Sequence, residues 1–306
     1  MFKTGAVLRG LGLVALLATA TEARDVDTIA GTVTVPDDPR RVVVLTNEGT
    51  EAVLSLGIMP VGAANSWNGN PWWDHISEGM ADAMPVGTES AINLEAVAAL
   101  QPDLILGNFA RQEDIYPQLS AIAPTVLSEK LRGDWKVNYR LYSEALGLEK
   151  EGAARIADYD AKVARLRETL GDHLNEEVSV IRFLAGQIRI YQLDSFSGVL
   201  LKDVGFARPE IQDVDAFAIR TGKEAIPDMD GDRIFYFTYD NGNGEGHAAA
   251  QDALDDPLWQ SLSAVRAGKV HAVSDAIWNT AGGILAAELM LEDLERIYLE
   301  QAQPAD

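Results

Sequence analysis

From about residue 24 to 148, short apolar runs alternate with amphipathic stretches. Residues 42–45, 60–64, 103–107 and 124–127 read as strands, and helices are predicted to start near Glu48, Leu94 and Asp114. Such alternation with short loops is the signature of βαβ units on a parallel sheet. Residues 149–171 break the rhythm. Ile156, Tyr159, Val163, Leu166 and Leu170 recur at spacings of 3, 4, 3 and 4 with charges between them, and Gly171 follows as a stop. The spacing predicts a single helix about 33 Å long. Beyond it the alternation resumes, with strands predicted over 178–184, 187–193, 233–239 and 269–273 and helices over 197–204, 257–265 and 283–298.

One phrase occurs on each side of that helix. Asn93-Leu-Glu95-Ala-Val97 followed by Asp103-Leu-Ile-Leu-Gly is echoed by Gly222-Lys-Glu224-Ala-Ile226 followed by Asp232-Arg-Ile-Phe-Tyr. In each copy an exposed Glu begins a short turn, and an Asp eight residues later leads into an apolar strand. The repetition predicts duplicated α/β lobes, 24–148 and 172–306, joined by the helix of 149–171 and enclosing a cleft. A rigid connector and the lack of a low-complexity linker argue against large hinge motion.

Composition narrows the setting. Lys3 and Arg9, the apolar run 10–18 and the Ala18-Thr19-Ala20 site read as a signal peptide over 1–20, too short to span a bilayer. The chain has no cysteine, so its stability is expected from cores alone, and a lipidated cysteine at the signal junction is excluded. The expected location is therefore periplasmic, unanchored. The formal charge is −22; removing residues 1–20, which hold two cations and no anions, takes it to −24. So acidic a body argues against nucleic acid or anionic lipid as a partner.

Catalytic signatures are missing. The chain has neither a G-x-S-x-G elbow nor a P-loop, and its four histidines are scattered without an H-x-x-H-like pair. Gly242, Gly244 and Gly246 fail the dinucleotide spacing, and Asp228, Asp230 and Asp232 around Gly231 misplace the glycine of a calcium loop. No metal site and no cofactor are predicted, and an enzyme is the weaker reading. What remains is a set of loops where open α/β sheets place ligands. They carry Trp67, Asn108, Arg111, Arg220, Tyr239 and Trp278, with Arg182, Arg189 and Tyr191 on the first hairpin of the second lobe. Aromatics with arginines suit a bulky anionic ligand, with flat walls for its scaffold and guanidinium forks for its oxygens.

Further motifs carry a family likeness. Gly31-Thr-Val-Thr-Val35-Pro36, Pro39-Arg-Arg41-Val-Val-Val-Leu45 and Leu56-Gly57-Ile-Met-Pro60-Val61-Gly62 open the chain. Tyr116-x-x-Leu119-x-x-Ile122-Ala-Pro124-Thr125, Val178-Ser-Val-Ile-Arg182-Phe183 and Asp256-Pro-Leu-Trp259 through Gly268-Lys-Val270 continue the set. As an ordered set they resemble the periplasmic iron–siderophore binding proteins of ABC importers, a helical-backbone substrate-binding protein family. The resemblance implies two Rossmann-like lobes bridged by a single long α-helix, with a ferric siderophore in the cleft and its iron held by the siderophore itself. It also implies that Arg111 and Arg182 contact that ligand, and that Glu95 and Glu224 dock each lobe onto the transmembrane permease. A monomer is expected. Thr88 departs from relatives with a basic residue there, which disfavours a trianionic catecholate. A haem or corrinoid receptor on the same scaffold, or a periplasmic enzyme, is the alternative.

Overall fold

The protein is described here as a computed structural model, covering residues 23–302; the signal-peptide reading of 1–20 lies outside the described residues. Two five-stranded sheets carry the fold. In the first, Met84–Pro85, Gly62–Ala63, Val42–Val44, Leu104–Asn108 and Thr125–Ser128 lie side by side in that order, all parallel. In the second the order is Ala218–Thr221, Gln187–Tyr191, Val178–Leu184, Arg233–Thr238 and Val270–Ala272. Its last three strands are parallel, and its first three form an antiparallel meander. The second lobe is therefore mixed, an outcome that a two-residue connection at Ala185 and Gly186 dictates, because a parallel crossover needs a dozen residues.

The central strands of each sheet are buried on both faces, and the period of two assigns their residues to different cores. Val43, Leu45 and Ile105 face a cluster with Val97 and Leu119, whereas Val42, Val44, Leu104 and Leu106 face the opposite way. In the second sheet Ile181, Phe183 and Ile234 form an outer cluster, and Val178, Val180, Phe235 and Phe237 turn inward. The two inward faces belong to one continuous cluster.

The helix Glu149–Leu170 occupies the place the sequence assigned to a connector, with Gly171 at its end in a positive-φ conformation (φ 52°). Ile156, Tyr159, Val163, Leu166 and Leu170 are all buried within the shared cluster. Helices Trp135–Ala145 and Ile284–Ala302 pack along it. A core that runs from one sheet through the helix to the other resists hinging, since opening the lobes would expose it.

The repeated phrase has one structural meaning in both lobes. Asp103 accepts the backbone N–H groups of Arg40 (2.8 Å) and Arg41 (2.9 Å), while its own N–H donates to the Arg41 carbonyl (3.0 Å). Asp232 accepts from the N–H of Glu177 (2.8 Å), and its N–H donates back to the Glu177 carbonyl (2.8 Å). In each lobe, then, an Asp clamps the entry of the first central strand to the entry of its parallel neighbour. Asp103→Ala is expected to lower stability by about 1–2 kcal/mol, from two lost charge-assisted bonds. A urea midpoint unchanged by that substitution would reduce the clamp to surface decoration.

Other elements depart from the sequence reading. The hairpin Ala23–Thr28 with Gly31–Pro36 and the helices Trp135–Ala145 and Glu245–Leu254 add to the predicted set. The helix predicted over 257–265 is two short turns, Pro257–Gln260 and Ser263–Arg266. Asp230 explains the break, because its carboxylate accepts from the Ser263 and Ala264 N–H groups and starts a new turn there.

Candidate functional site

A cavity of about 760 Å³ opens between the lobes. It lies where the strand ends of the first lobe meet the antiparallel meander of the second. Six basic side chains line it, Arg111, Lys130, Arg132, Arg182, Arg189 and Arg220, against three acidic ones, Glu48, Glu89 and Asp194. In a chain of charge −22 this local excess of cations runs against the composition.

The meander arranges three of them in a row. Its register pairs Arg182 with Arg189 and Arg189 with Arg220, so all three guanidinium stems leave the same face at the same level of three adjacent strands. Like charges directly opposite on neighbouring strands repel. Arg182 alone of the three is paired with an acid, its Nε lying 2.6 Å from Asp275 Oδ1 and its Nη2 donating to Oδ2 at 2.9 Å. Burial opposes the Arg182 charge, but the Asp275 carboxylate and the Tyr191 hydroxyl outweigh it and hold its pKa above the ordinary guanidinium value. Arg189 donates to the neutral side chain of Gln187 (3.1 Å), and Arg220 is exposed on the rim. Counter-charge relieves that repulsion, and the cavity offers room for it.

The first lobe brings Arg111 on the short helix Phe109–Gln112, directly after the strand Leu104–Asn108. Its guanidinium sits 5.5 Å from the Trp67 ring and its Nε 3.5 Å from Glu89. Arg132 stacks over Phe217 at 4.4 Å, and its backbone is held at φ 86°, a left-handed conformation that non-glycine residues adopt at a cost. Tyr239 lies under Arg182 at 4.8 Å. The wall thus alternates aromatic faces with cations, and each ring restricts the guanidinium it carries.

Six of the nine expected ligand contacts line this cavity: Trp67, Arg111, Arg182, Arg189, Arg220 and Tyr239. The other three are corrected. Trp278 is buried, stacked 4.6 Å from Phe235 with its Nε1 donating to Asp293 (3.0 Å), and is a core residue. Tyr191 is buried against Phe217 behind Arg182. Asn108 is buried too; its Oδ1 caps the helix that carries Arg111, accepting from Ala110 N–H at 3.0 Å, and its Nδ2 donates to Ser128. Both lie behind the residues that line the cavity. Thr88 lies outside the lining, beside Glu89, which lines it. Lys130, Arg132 and Glu48 were missed. The first two occupy an irregular stretch with no periodic signal, and Glu48 was read only as a helix start.

A second cavity, about 790 Å³, lies between the Trp72–Asp74 loop and Tyr236, His247 and Ala276. Asp275 lines it while its partner Arg182 lines the first, so their ion pair stands between an acidic and a basic compartment. The glycine loop nearby is spent on itself: Asp240 accepts from the N–H groups of Gly242, Gly244 and Gly246. Among the described residues no cluster of three or more His, Cys, Asp or Glu is placed to hold a metal ion.

Two parallel-cored lobes closing on a cation-lined cleft define a solute-binding protein, and the chain belongs to the periplasmic binding protein family, whose model matches residues 42–276. Among its relatives, the probable siderophore-binding lipoprotein YfiY of Bacillus subtilis (strain 168) is 50% identical over 274 residues, 87% of this chain and 84% of that protein. The achromobactin-binding periplasmic protein of Dickeya dadantii (strain 3937) is 30% identical over 265 residues, covering 85% and 86% of the two. The crystal structure of Staphylococcus aureus SirA complexed with staphyloferrin B superposes with a TM-score of 0.83 at 33% identity, over 90% of this chain and 98% of that one.

Proposed function

We propose that this protein is an extracytoplasmic receptor that captures a ferric siderophore in the basic cleft and delivers it, unaltered, to the permease of an ABC importer. The aligned row Arg182–Arg189–Arg220 carries the reading, because three guanidiniums with a single acid among them call for an anionic cargo. The siderophore names borne by its relatives supply the class of that cargo. Iron is held by the siderophore's own oxygens, and the protein supplies arginines to the outer shell and rings to the organic scaffold. Planar guanidinium forks match carboxylates best, so a ferric complex bearing carboxylate groups is the favoured form. The continuous core and the paired, ring-stacked cations leave little to order on binding, which favours affinity.

The signal-like composition of residues 1–20 and the lack of cysteine support a free periplasmic protein, in contrast to its lipoprotein relative. Glu95 and Glu224, exposed at equivalent corners of the two lobes, are the proposed permease contacts.

Titration with ferric citrate, a ferric hydroxamate and a ferric catecholate is expected to quench Trp67 fluorescence saturably at micromolar concentration or below for the carboxylate complex, about −8 kcal/mol or better. Quenching by none of the three would remove the reading. A shifted absorption band on mixing with haem or cobalamin, without ferric-complex binding, would replace it with a macrocycle receptor.

A further inference from the structure

Three buried glutamates lie close together, Glu48 and Glu89 lining the cleft and Glu51 behind them, and two of the three are fully engaged. Glu51 accepts from Ala286 N–H (2.9 Å) and pairs with His75 (2.7 Å). Glu89 accepts from the Asn47 backbone N–H (2.7 Å) and side-chain Nδ2 (2.8 Å) and lies 3.5 Å from Arg111. Glu48 differs. It is 5% exposed, its Oε1 has no hydrogen-bond partner, and it lines the cavity. Among the described residues it forms no ion pair, although cations line the same space. An unpaired polar atom buried in the wall of a ligand cavity is free to bond what enters it.

Its surroundings decide whether it donates or accepts. Burial raises the Glu48 pKa well above the usual carboxylate range; a hydrogen bond from Asn138 pulls it down, and Glu89, Glu51 and Asp134 push it further up. From the helix Trp135–Ala145 it faces Asn138 and the hydroxyl of Tyr142, neither a cation. The first helical turn favours a carboxylate there, but burial among three other carboxylates outweighs that dipole.

We propose that Glu48 is a ligand-binding residue whose protonated carboxyl donates a hydrogen bond to an oxygen of the anionic cargo. The assignment rests on the receptor reading above and adds a role to its site. Arginines alone would attract any anion. One acid that keeps its proton makes the floor of the cleft a donor without adding charge, and it favours cargo that presents an acceptor oxygen at that point. Binding is then strongest below the raised Glu48 pKa and weakens as pH rises through it, since an ionised Glu48 repels the cargo.

The experiment compares wild type, Glu48→Gln and Glu48→Ala in ferric citrate titrations across pH. Glu48→Gln, which retains a neutral donor, is expected to bind within about threefold of wild type at neutral pH, and Glu48→Ala to bind about tenfold or more weakly. The ligand's own titration is common to all three, so the decisive comparison is the alkaline limb, where wild type loses affinity and Glu48→Gln does not. Infrared difference spectra of wild type against Glu48→Gln, followed upward in pH, are expected to show the carbonyl stretch of a protonated carboxyl in the empty protein persisting above the range in which an ordinary carboxyl ionises. Identical alkaline limbs, or a carboxylate band in place of that stretch, would overturn the assignment while the receptor reading stood. Failure of wild type to bind any ferric complex would overturn both.

Discussion

Arg182→Ala is expected to weaken binding of a ferric carboxylate complex by about 2–5 kcal/mol, roughly thirtyfold or more. Two effects add. The row across the meander loses its innermost charge, and the Asp275 carboxylate, 6% exposed, is left without its guanidinium at the edge of a cavity that must receive an anion. The same uncompensated burial is expected to cost stability. A companion variant separates the two. Arg182→Ala combined with Asp275→Asn removes the orphan charge, so the urea midpoint is expected to recover while affinity stays well below wild type. Affinity within threefold of wild type in the single variant would mean that Arg182 serves Asp275 alone and that the row does not grip the cargo.

That row shows what a chain of letters reveals and what it hides. The pairing of Arg182 with Arg189 was open to simple arithmetic, because two strands joined through Ala185 and Gly186 have a fixed register. Arg220 was not, since its strand Ala218–Thr221 follows a long irregular segment that leaves the register free. The connecting helix was legible because aliphatic residues at helical spacing mark a buried stripe. The helix Trp135–Ala145 escaped because its buried face is built from Trp135, Asn138, Tyr139, Tyr142 and Ser143, a polar and aromatic set with no aliphatic period. Its polar members bond inside the core, Ser143 to the Tyr139 carbonyl (2.7 Å) and Tyr142 with Ser128 (2.8 Å). Trp278 failed for the opposite reason. A tryptophan after the last strand looks the same whether it lines a cleft or plugs a core, and only the stack on Phe235 and the bond to Asp293 decide.

Glu95→Ala together with Glu224→Ala is expected to leave ligand affinity within about twofold of wild type and to abolish iron-limited growth that depends on the importer. Both glutamates are exposed, and neither lines the cavity. Each stands eight residues before the Asp that clamps its lobe's central strands, so the duplicated scaffold presents one carboxylate per lobe on the same kind of corner. A permease with two-fold symmetry would meet both at once, and a close charge pair lost at each contact is worth about 1.5 kcal/mol or more. The two contacts add because they lie on separate lobes without shared partners, so the double variant is expected to fail where either single variant still transports. Glu224 needs its own control. Its carboxylate folds back to accept from Gly222 N–H (3.2 Å) and Thr221 (3.4 Å), so alanine there also removes a local cap. Glu224→Gln keeps an acceptor and loses only the charge. If docking is electrostatic, the glutamine variant pairs with Glu95→Ala to block uptake as fully as alanine does. Transport preserved in that pair would sink the docking assignment, and so would any loss of ligand binding, which would place these residues in the service of the cleft.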